Sequence, residues 1–188
     1  MTPTTGPSDD TPASVSAKPA KAPKKSRSAP RTTARLAAVQ ALYEIEVSGA
    51  NVHEVVPDMV GRGFANLLED SSVKVARPDA KLFERLVLGS FEDRGILDQL
   101  IVDSLQQPGH FERIEVILRA ILRLGAYELL AMSDVPAKVV ISEYMDIGDA
   151  FFGGKELSLI NAVLDRIAHN IREGDFETEG RAPKGGEG

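Results

Sequence analysis

Apolar residues recur at intervals of three and four positions between residues 30 and 173, which is the spacing of one face of an α-helix. No stretch alternates apolar and polar residues between hairpin turns, as a half-buried strand would. Glycine and proline divide the pattern into seven predicted helices, at about 30–48, 52–69, from 79 toward 95, from 96 to the break at 108, and at about 112–132, 137–151 and 156–172. The second is expected to be irregular or broken, because Pro57, Gly61 and Gly63 fall inside it.

The fifth predicted helix is the most apolar, and its apolar residues cover more than half of its surface. A helix of that kind lies at the centre of a bundle rather than on its surface. The break at Pro108 then divides the helices into two packed subdomains, about 30–108 and 109–173. The predicted fold class is therefore all-α, with about seven helices in two helical subdomains.

Both ends of the chain differ in composition from this helical part. Residues 1–29 are rich in Pro, Ala, Lys and Ser, and Val15 is their only large apolar residue after Met1. Residues 174–188 hold five Gly, four acidic residues and one aromatic residue. Neither segment can bury enough apolar surface to offset the entropy of ordering it. We therefore expect two disordered tails around a folded domain over 30–173.

The composition excludes several kinds of chemistry. There is no Cys, which rules out disulfides, thiolate zinc sites and cysteine nucleophiles, and the three His at 53, 110 and 169 are too scattered to form a helical pair of metal ligands. The motifs of nucleotide-binding loops, serine hydrolases and zinc peptidases are missing. No apolar run could span a bilayer or serve as a signal peptide. We expect a cytoplasmic protein with no metal, cofactor or membrane partner, and not an enzyme.

The net charge of −6 conceals an uneven distribution. Residues 1–35 hold seven of the 22 basic residues and two of the 28 acidic ones, which leaves an excess of 11 acidic residues in the remainder. A basic arm on an acidic body indicates that the arm meets a polyanion. A solubilising tail is the alternative that the charge pattern leaves open.

The cations at the start of the first helix make single-stranded RNA the more specific interpretation. Arg31 and Arg35 lie one turn apart there and extend a run formed by Lys24, Lys25 and Arg27. Cations near a helix N-terminus oppose the helix dipole, and like charges at this spacing repel, so an external anion would compensate them. A basic segment that joins a disordered arm to a helix can bind RNA by folding on contact.

Three polar residues outside the arm also stand out. Lys155 follows the Gly153-Gly154 turn, where it could touch an RNA phosphate, although a plain turn between helices is the simpler interpretation. Glu128 and Glu143 each lie within an apolar helical pattern. A buried carboxylate needs a partner, so both are expected to form hydrogen bonds or ion pairs that join helices, rather than to act in catalysis.

Several stretches, in order along residues 31–173, carry a family resemblance. They are Arg31-Thr-Thr-Ala34-Arg35 with Ala38-Val-Gln40-Ala-Leu-Tyr43, Ala120-Ile-Leu-Arg123 with Ala126-Tyr127-Glu128-Leu129, Asp134-Val-Pro136-Ala-Lys138-Val-Val-Ile-Ser-Glu143, and Asn161-Ala-Val-Leu164-Asp165. Together they resemble the NusB family of bacterial transcription antitermination factors.

The resemblance implies an all-helical fold of two subdomains and a function in binding. Members of the family pair with the small-subunit ribosomal protein NusE and hold single-stranded boxA RNA from ribosomal RNA operons. They act within the RNA polymerase antitermination complex, which reads through terminators. An acidic body would suit a basic ribosomal protein. A homodimer of the free protein is left open.

The resemblance also assigns RNA contacts. It places them at Arg31 and Arg35 and, in a second region, at Lys155, Ser158 and Asn161. The sequence departs from the family where arginines usually cluster, at positions 32 and 33, which are both Thr, and at position 159, which is Leu where an aromatic residue is common. The cationic role of the missing arginines is therefore expected to pass to residues 24, 25 and 27 of the arm.

Two other functions remain as alternatives. One is an accessory domain of an enzyme that modifies ribosomal RNA, since ribosomal RNA methyltransferases carry a similar helical domain. The lack of an α/β cofactor domain after residue 173 counts against it. The other is a helical adaptor that binds only protein, which a binding assay would distinguish from an RNA-binding factor.

Overall fold

The computed structural model describes residues 30–65 and 76–172, and this part of the chain forms seven α-helices and no strand. The helices are α1 (Pro30–Ser48), α2 (Val52–Gly61), α3 (Ala80–Glu92), α4 (Arg94–Ser104), α5 (Val116–Ala131), α6 (Ala137–Phe151) and α7 (Lys155–Ile171), with a 3-10 helix at Pro108–Arg113. The predicted all-α fold is confirmed. The predicted tails, 1–29 and 174–188, lie outside the described residues.

Three predicted helices differ from the structure. The fourth runs from Arg94 to Ser104 and not from 96 to the break at 108. The second ends at Gly61, because a turn follows in which Gly63 and Phe64 both have positive φ angles, 62° and 61°. Residues 66–69 of that prediction lie outside the described part. The fifth begins at Val116 and not near residue 112, because a 3-10 helix and an extended residue, Ile114, precede it. The three-residue repeat of that 3-10 segment brings Phe111 and Ile114 to one side, and both are buried.

Helix α5 lies at the centre of the bundle, as its apolar pattern predicts. Every residue from Ala120 to Leu129 is buried. The helix packs against α1, α3, α4, α6 and α7. The buried apolar side chains of all seven helices form one continuous cluster. The subdomain boundary near residue 108 stays a prediction.

Close helix packing depends on glycine at three crossings of the described helices, two of which involve α5. A Cβ atom at Gly89 of α3 would overlap the phenol ring of Tyr127 on α5, and one at Gly125 would lie 2.8 Å from the methyl groups of Leu164 on α7. Both contacts are tighter than side chains tolerate, so the helices approach at these crossings only because the glycines have no side chain.

Charged side chains join the helices at both ends of α5. At its start, Glu46 of α1 accepts hydrogen bonds from Arg119 (2.6 Å) and Arg123. Arg123 also donates to Asp98 of α4, at 2.6 Å. We call these four residues the Glu46 cluster. Its carboxylates and guanidinium groups offset one another, which lets Arg123 lie almost entirely buried.

At the other end of α5, Arg172 closes the helix. Its guanidinium donates hydrogen bonds to four backbone carbonyl groups, those of Leu129, Glu128, Met132 and Val135, at 2.6 to 3.0 Å. The last carbonyls of a helix have no partner within it, so a cation placed there satisfies them and also favours the helix dipole. The end of α7 is thereby tied to the end of α5.

Candidate nucleic-acid interface

The first two turns of α1 place their two arginines in opposite surroundings. Arg31 is exposed and forms no ion pair with any residue in the described ranges. Arg35 is 2% exposed, and its Nε donates to Glu128 Oε2 at 2.9 Å. Its Nη1 lies 3.3 Å from Glu143 Oε2. The prediction that Arg35 contacts RNA is therefore corrected, because its guanidinium is committed inside the protein.

Arg35 belongs to a buried cluster that joins α1, α5 and α6. Tyr144 donates its hydroxyl to Glu128 Oε2 at 3.1 Å, and Thr32 donates to Glu143 Oε2 at 2.8 Å. We call these five residues the Arg35 cluster. The prediction that Glu128 and Glu143 join helices through polar partners is confirmed.

The members of the Arg35 cluster determine one another's protonation states. Burial disfavours the charge of Arg35, but the hydrogen bond and negative charge of Glu128 outweigh this and raise the pKa of Arg35 above its ordinary value. Burial, followed by the charge of Glu128, raises the pKa of the Tyr144 phenol well above its usual range. The tyrosine therefore remains a neutral donor to a carboxylate whose charge is matched by Arg35.

Arg31 lies in the described part of the chain and is exposed to solvent, as predicted for an RNA contact. Lys24, Lys25 and Arg27 lie outside that part. A neighbouring cation that the sequence analysis missed is the exposed Arg77. It lies two residues before Asp79, whose backbone N–H donates to the Pro30 carbonyl at 3.0 Å. This contact between residues far apart in sequence is what brings residue 77 near the start of α1. Nothing in the local sequence indicates the contact, so Arg77 could not be predicted.

The second predicted region lies at the start of α7. Gly154 has a positive φ of 54°, and Ser158 donates both its backbone N–H and its hydroxyl to the Gly154 carbonyl. Lys155 and Ser158 are exposed and line one groove of about 390 Å³. Asn161 is also exposed but does not line it, because at 100° per residue it is turned about 120° from Lys155 around α7. The structure thus brings two of the three predicted residues together.

The opposite wall of that groove was not predicted. It is formed by the segment after α4 and by the 3-10 helix, with the side chains of Gln106, Gln107 and His110. Arg166, also in the lining, lies three turns along α7 from Lys155 and donates to the Ser104 carbonyl at 2.9 Å. The spacing of 155, 158, 162 and 166 on a helix could have indicated Arg166. The glutamines reach the groove only through the packing of α4 against α7.

Arg31 and Lys155 are not neighbours. Arg31 lies one turn beyond Arg35, which pairs with Glu128 near the end of α5. Lys155 lines a second cavity with Leu118, near the start of α5. Ten residues separate positions 118 and 128, which corresponds to about 15 Å along the helix axis. One ligand that touches both predicted regions must therefore be extended.

Residues 30–65 and 76–172 contain neither a membrane-spanning helix nor a metal-binding group of side chains. No helix there is long and apolar enough to cross a membrane. No group of three or more His, Asp or Glu side chains is placed to hold a metal ion.

Comparison with known proteins identifies the family of the chain. A sequence profile of the NusB family matches residues 32–169. Transcription antitermination protein NusB of Nitrobacter hamburgensis is 43% identical over 146 residues, which cover 78% of this chain and 90% of that protein. The structure of NusB from T. maritima superposes with a TM-score of 0.62 at 27% identity, over 79% of this chain and 98% of that one.

A second solved structure shows the same fold in a complex. It contains the antitermination factors NusB and NusE with double-stranded RNA, and its match has a TM-score of 0.59 at 23% identity, over 75% of this chain and 97% of that one. At that identity the likeness concerns the fold alone. The profile match over most of the chain and the 43% identical relative confirm the resemblance seen in the sequence. The chain belongs to the NusB family.

Proposed function

We propose that this protein is an RNA-binding transcription antitermination factor. With the ribosomal protein NusE it would bind boxA RNA of ribosomal RNA operons and act in the RNA polymerase antitermination complex, which places it in the cytoplasm. Family membership and the names of its relatives support this proposal. The observation that carries it is that exposed cations lie at the start of α1 and in the groove beside α7, although the body of the chain is acidic.

The RNA contacts of the proposal follow the exposed residues. Arg31 would meet the RNA backbone at one end of α5, together with Lys24, Lys25 and Arg27 of the arm. Lys155, Ser158 and Asn161 would meet it at the other end. Arg35 has a different part. As a member of the Arg35 cluster it holds the first turn of α1 against α5 and α6, and so fixes the position of Arg31.

The net charge of the chain favours binding of the proposed protein partner, NusE. Outside residues 1–35 the chain has 15 basic and 26 acidic residues, so its surface potential would attract a basic ribosomal protein and repel a bare polyanion. RNA would then bind best when the partner adds cations beside the exposed ones of this chain. Whether the free protein forms a homodimer is a separate question that gel filtration answers.

The test is a titration of labelled boxA-type RNA and a scrambled RNA with the protein, alone and with NusE, at two salt concentrations. We expect tighter and sequence-dependent binding with NusE. Equal binding of the two RNAs under all conditions would contradict the proposal and leave a helical adaptor with a nonspecific basic arm.

Removal of the arm tests the cations that precede α1. We expect a chain that starts at residue 30 to retain its thermal unfolding midpoint, because the described fold begins there, and to bind RNA more weakly with a shallower dependence on salt. A deletion that extends to residue 35 is the matched control for folding, since it removes Arg35 and should destabilise the bundle. If the chain without residues 1–29 bound RNA with the affinity of the full chain, the arm would not contact RNA.

A further inference from the structure

Three exposed cations, Arg31, Arg77 and Lys81, lie at the place where helices α1 and α3 begin. The backbone N–H of Asp79 donates to the Pro30 carbonyl at 3.0 Å, so the starts of the two helices adjoin. Within the described ranges, none of the three cations forms an ion pair or a side-chain hydrogen bond. We call these three residues the N-terminal cation face. It is available to an anionic ligand.

The described part of the chain ends beside this face. Its last residue, Arg172, donates to the Leu129 carbonyl at the end of α5, at 2.6 Å. Two residues further along α5, the Ala131 carbonyl accepts a hydrogen bond from Arg85 of α3 at 2.8 Å. Arg85 lies one turn after Lys81, on the same side of α3. Residues that follow Arg172 therefore leave the bundle close to the start of α3.

The start of α1 reaches the same place. Arg172 also donates to the backbone carbonyl of Glu128, at 3.0 Å. The side chain of Glu128 accepts from Arg35 at 2.9 Å, and Arg35 lies one turn after Arg31. The cation face and the end of α7 are thus joined through the last turn of α5.

The sequence that follows Arg172 is acidic. Residues 173–179, Glu-Gly-Asp-Phe-Glu-Thr-Glu, hold four carboxylates at every second position and no cation. We call them the acidic segment; they lie outside the described residues. In an extended backbone, alternate side chains point to the same side, about 6.6 Å apart. The acidic segment can therefore present a row of negative charges, as the backbone of a single RNA strand does.

We propose that the acidic segment binds the N-terminal cation face and competes there with RNA. Its carboxylates take the place of phosphates beside Arg31, Arg77 and Lys81. Seven extended residues span up to about 23 Å, and a tether this short gives an effective concentration in the millimolar range. Even a weak contact would then occupy the face for much of the time. The inference rests on the proposed RNA-binding function, to which it adds control by the protein's own chain.

The first experiment compares the full chain with a chain that ends at Arg172, each titrated with labelled boxA-type RNA at two salt concentrations. The shorter chain keeps the hydrogen bonds of Arg172 to α5, so its thermal unfolding midpoint should not change. We expect it to bind RNA about threefold more tightly or better, because its cation face is always free. The gain should shrink at high salt, which screens the competing contact.

A pair of charge variants separates a local contact from general repulsion of RNA. Asp175→Asn with Glu177→Gln removes two charges from the acidic segment, and Glu54→Gln with Glu92→Gln removes two from the body. Glu54 and Glu92 are exposed, near the end of α1 and at the end of α3, a helix length from the cation face. At 0.15 M salt, charges further apart than about 8 Å are largely screened. Only the first pair should tighten RNA binding.

The contact itself is tested without RNA. A carbodiimide couples a lysine amine to a carboxylate that touches it, so the full chain should yield a peptide in which Lys81 is joined to residues 173–179. Added RNA should reduce that product. Lys155, near the other end of α5, is the control lysine and should not form it.

Three results would overturn the inference. They are equal RNA affinity of the full and shortened chains, coupling of the acidic segment to Lys155 as often as to Lys81, and an effect of the shortening on NusE binding alone. Failure of both chains to bind RNA, with the Lys81 product still formed, would instead overturn the proposed function and leave the contact standing.

Discussion

Glu128 is completely buried, and its charge is acceptable there because Arg35 and Tyr144 surround it with donors. A buried ion pair contributes little net stability compared with apolar residues of the same shape, but removal of one partner leaves a buried charge without compensation. The Arg35 cluster therefore acts as a lock between α1, α5 and α6 whose parts depend on one another.

Substitution of Arg35 tests this dependence. We expect Arg35→Met to lower the free energy of unfolding by about 3 to 5 kcal/mol, since Glu128 would keep only the Tyr144 hydroxyl as a partner. The double variant Arg35→Met, Glu128→Leu should regain much of that loss. Urea unfolding measures both. A loss below about 1 kcal/mol in the single variant would contradict a coupled buried pair.

The same variant separates a positioning role from a direct contact. Where Arg35→Met remains folded, its RNA binding should keep the salt dependence of the unaltered protein, whereas Arg31→Gln should lower the slope by about one. The sequence could not distinguish these arginines, because both follow the same basic run one turn apart. Only the packing of α5 and α6 over position 35 makes one of them internal.

Glu46 gives a prediction about pH. Burial favours its neutral form, but Arg123 and Arg119 outweigh this and lower the pKa of Glu46 below its ordinary value of 4.5. A carboxyl group with a lowered pKa in the folded state contributes stability above its unfolded pKa and loses it as the pH falls toward the folded pKa. The difference in unfolding free energy between the unaltered protein and Glu46→Gln should be constant above about pH 5 and shrink below 4.5. A difference that stays constant from pH 7 to pH 3 would contradict this.

At the scale of elements, the helices were predictable where the apolar spacing ran without interruption. Helices α1, α6 and α7 begin and end within about one residue of the prediction. The segment around Phe111 and Ile114 was not predictable, because a three-residue repeat over a single 3-10 helix resembles the start of an α-helix. The groove beside α7 could not be predicted from the sequence for another reason. Its two walls are about 50 residues apart in sequence, and only the fold brings them together.

At the crossing of α3 and α5, we predict that alanine in place of glycine destabilises the protein, although alanine usually stabilises a helix. Alanine stabilises a helix interior by about 1 kcal/mol relative to glycine. Gly89→Ala should nevertheless destabilise the protein by about 1 to 3 kcal/mol, because its Cβ would overlap Tyr127. Gly95→Ala, near the start of α4 with open space around it, is the control and should be neutral or stabilising. Equal thermal midpoints for the two variants would contradict the close crossing.

For the whole molecule, the separation of its exposed cations determines how it would hold RNA. Arg31 and Lys155 lie near opposite ends of α5, at least about 15 Å apart along its axis, and share no partner. Groups that far apart act independently, so their contributions to binding should add. A single extended strand could touch both.

This arrangement predicts how two substitutions combine. Arg31→Gln and Lys155→Gln should each lower the slope of log affinity against log salt by about one, and the double variant by about two, for an RNA long enough to span both places. For an oligonucleotide too short to span them, the two substitutions should no longer add, because each bound molecule meets only one of the cations. Anisotropy titrations with long and short RNAs measure this. A double variant no weaker than either single one on the long RNA would mean that RNA contacts only one end of α5.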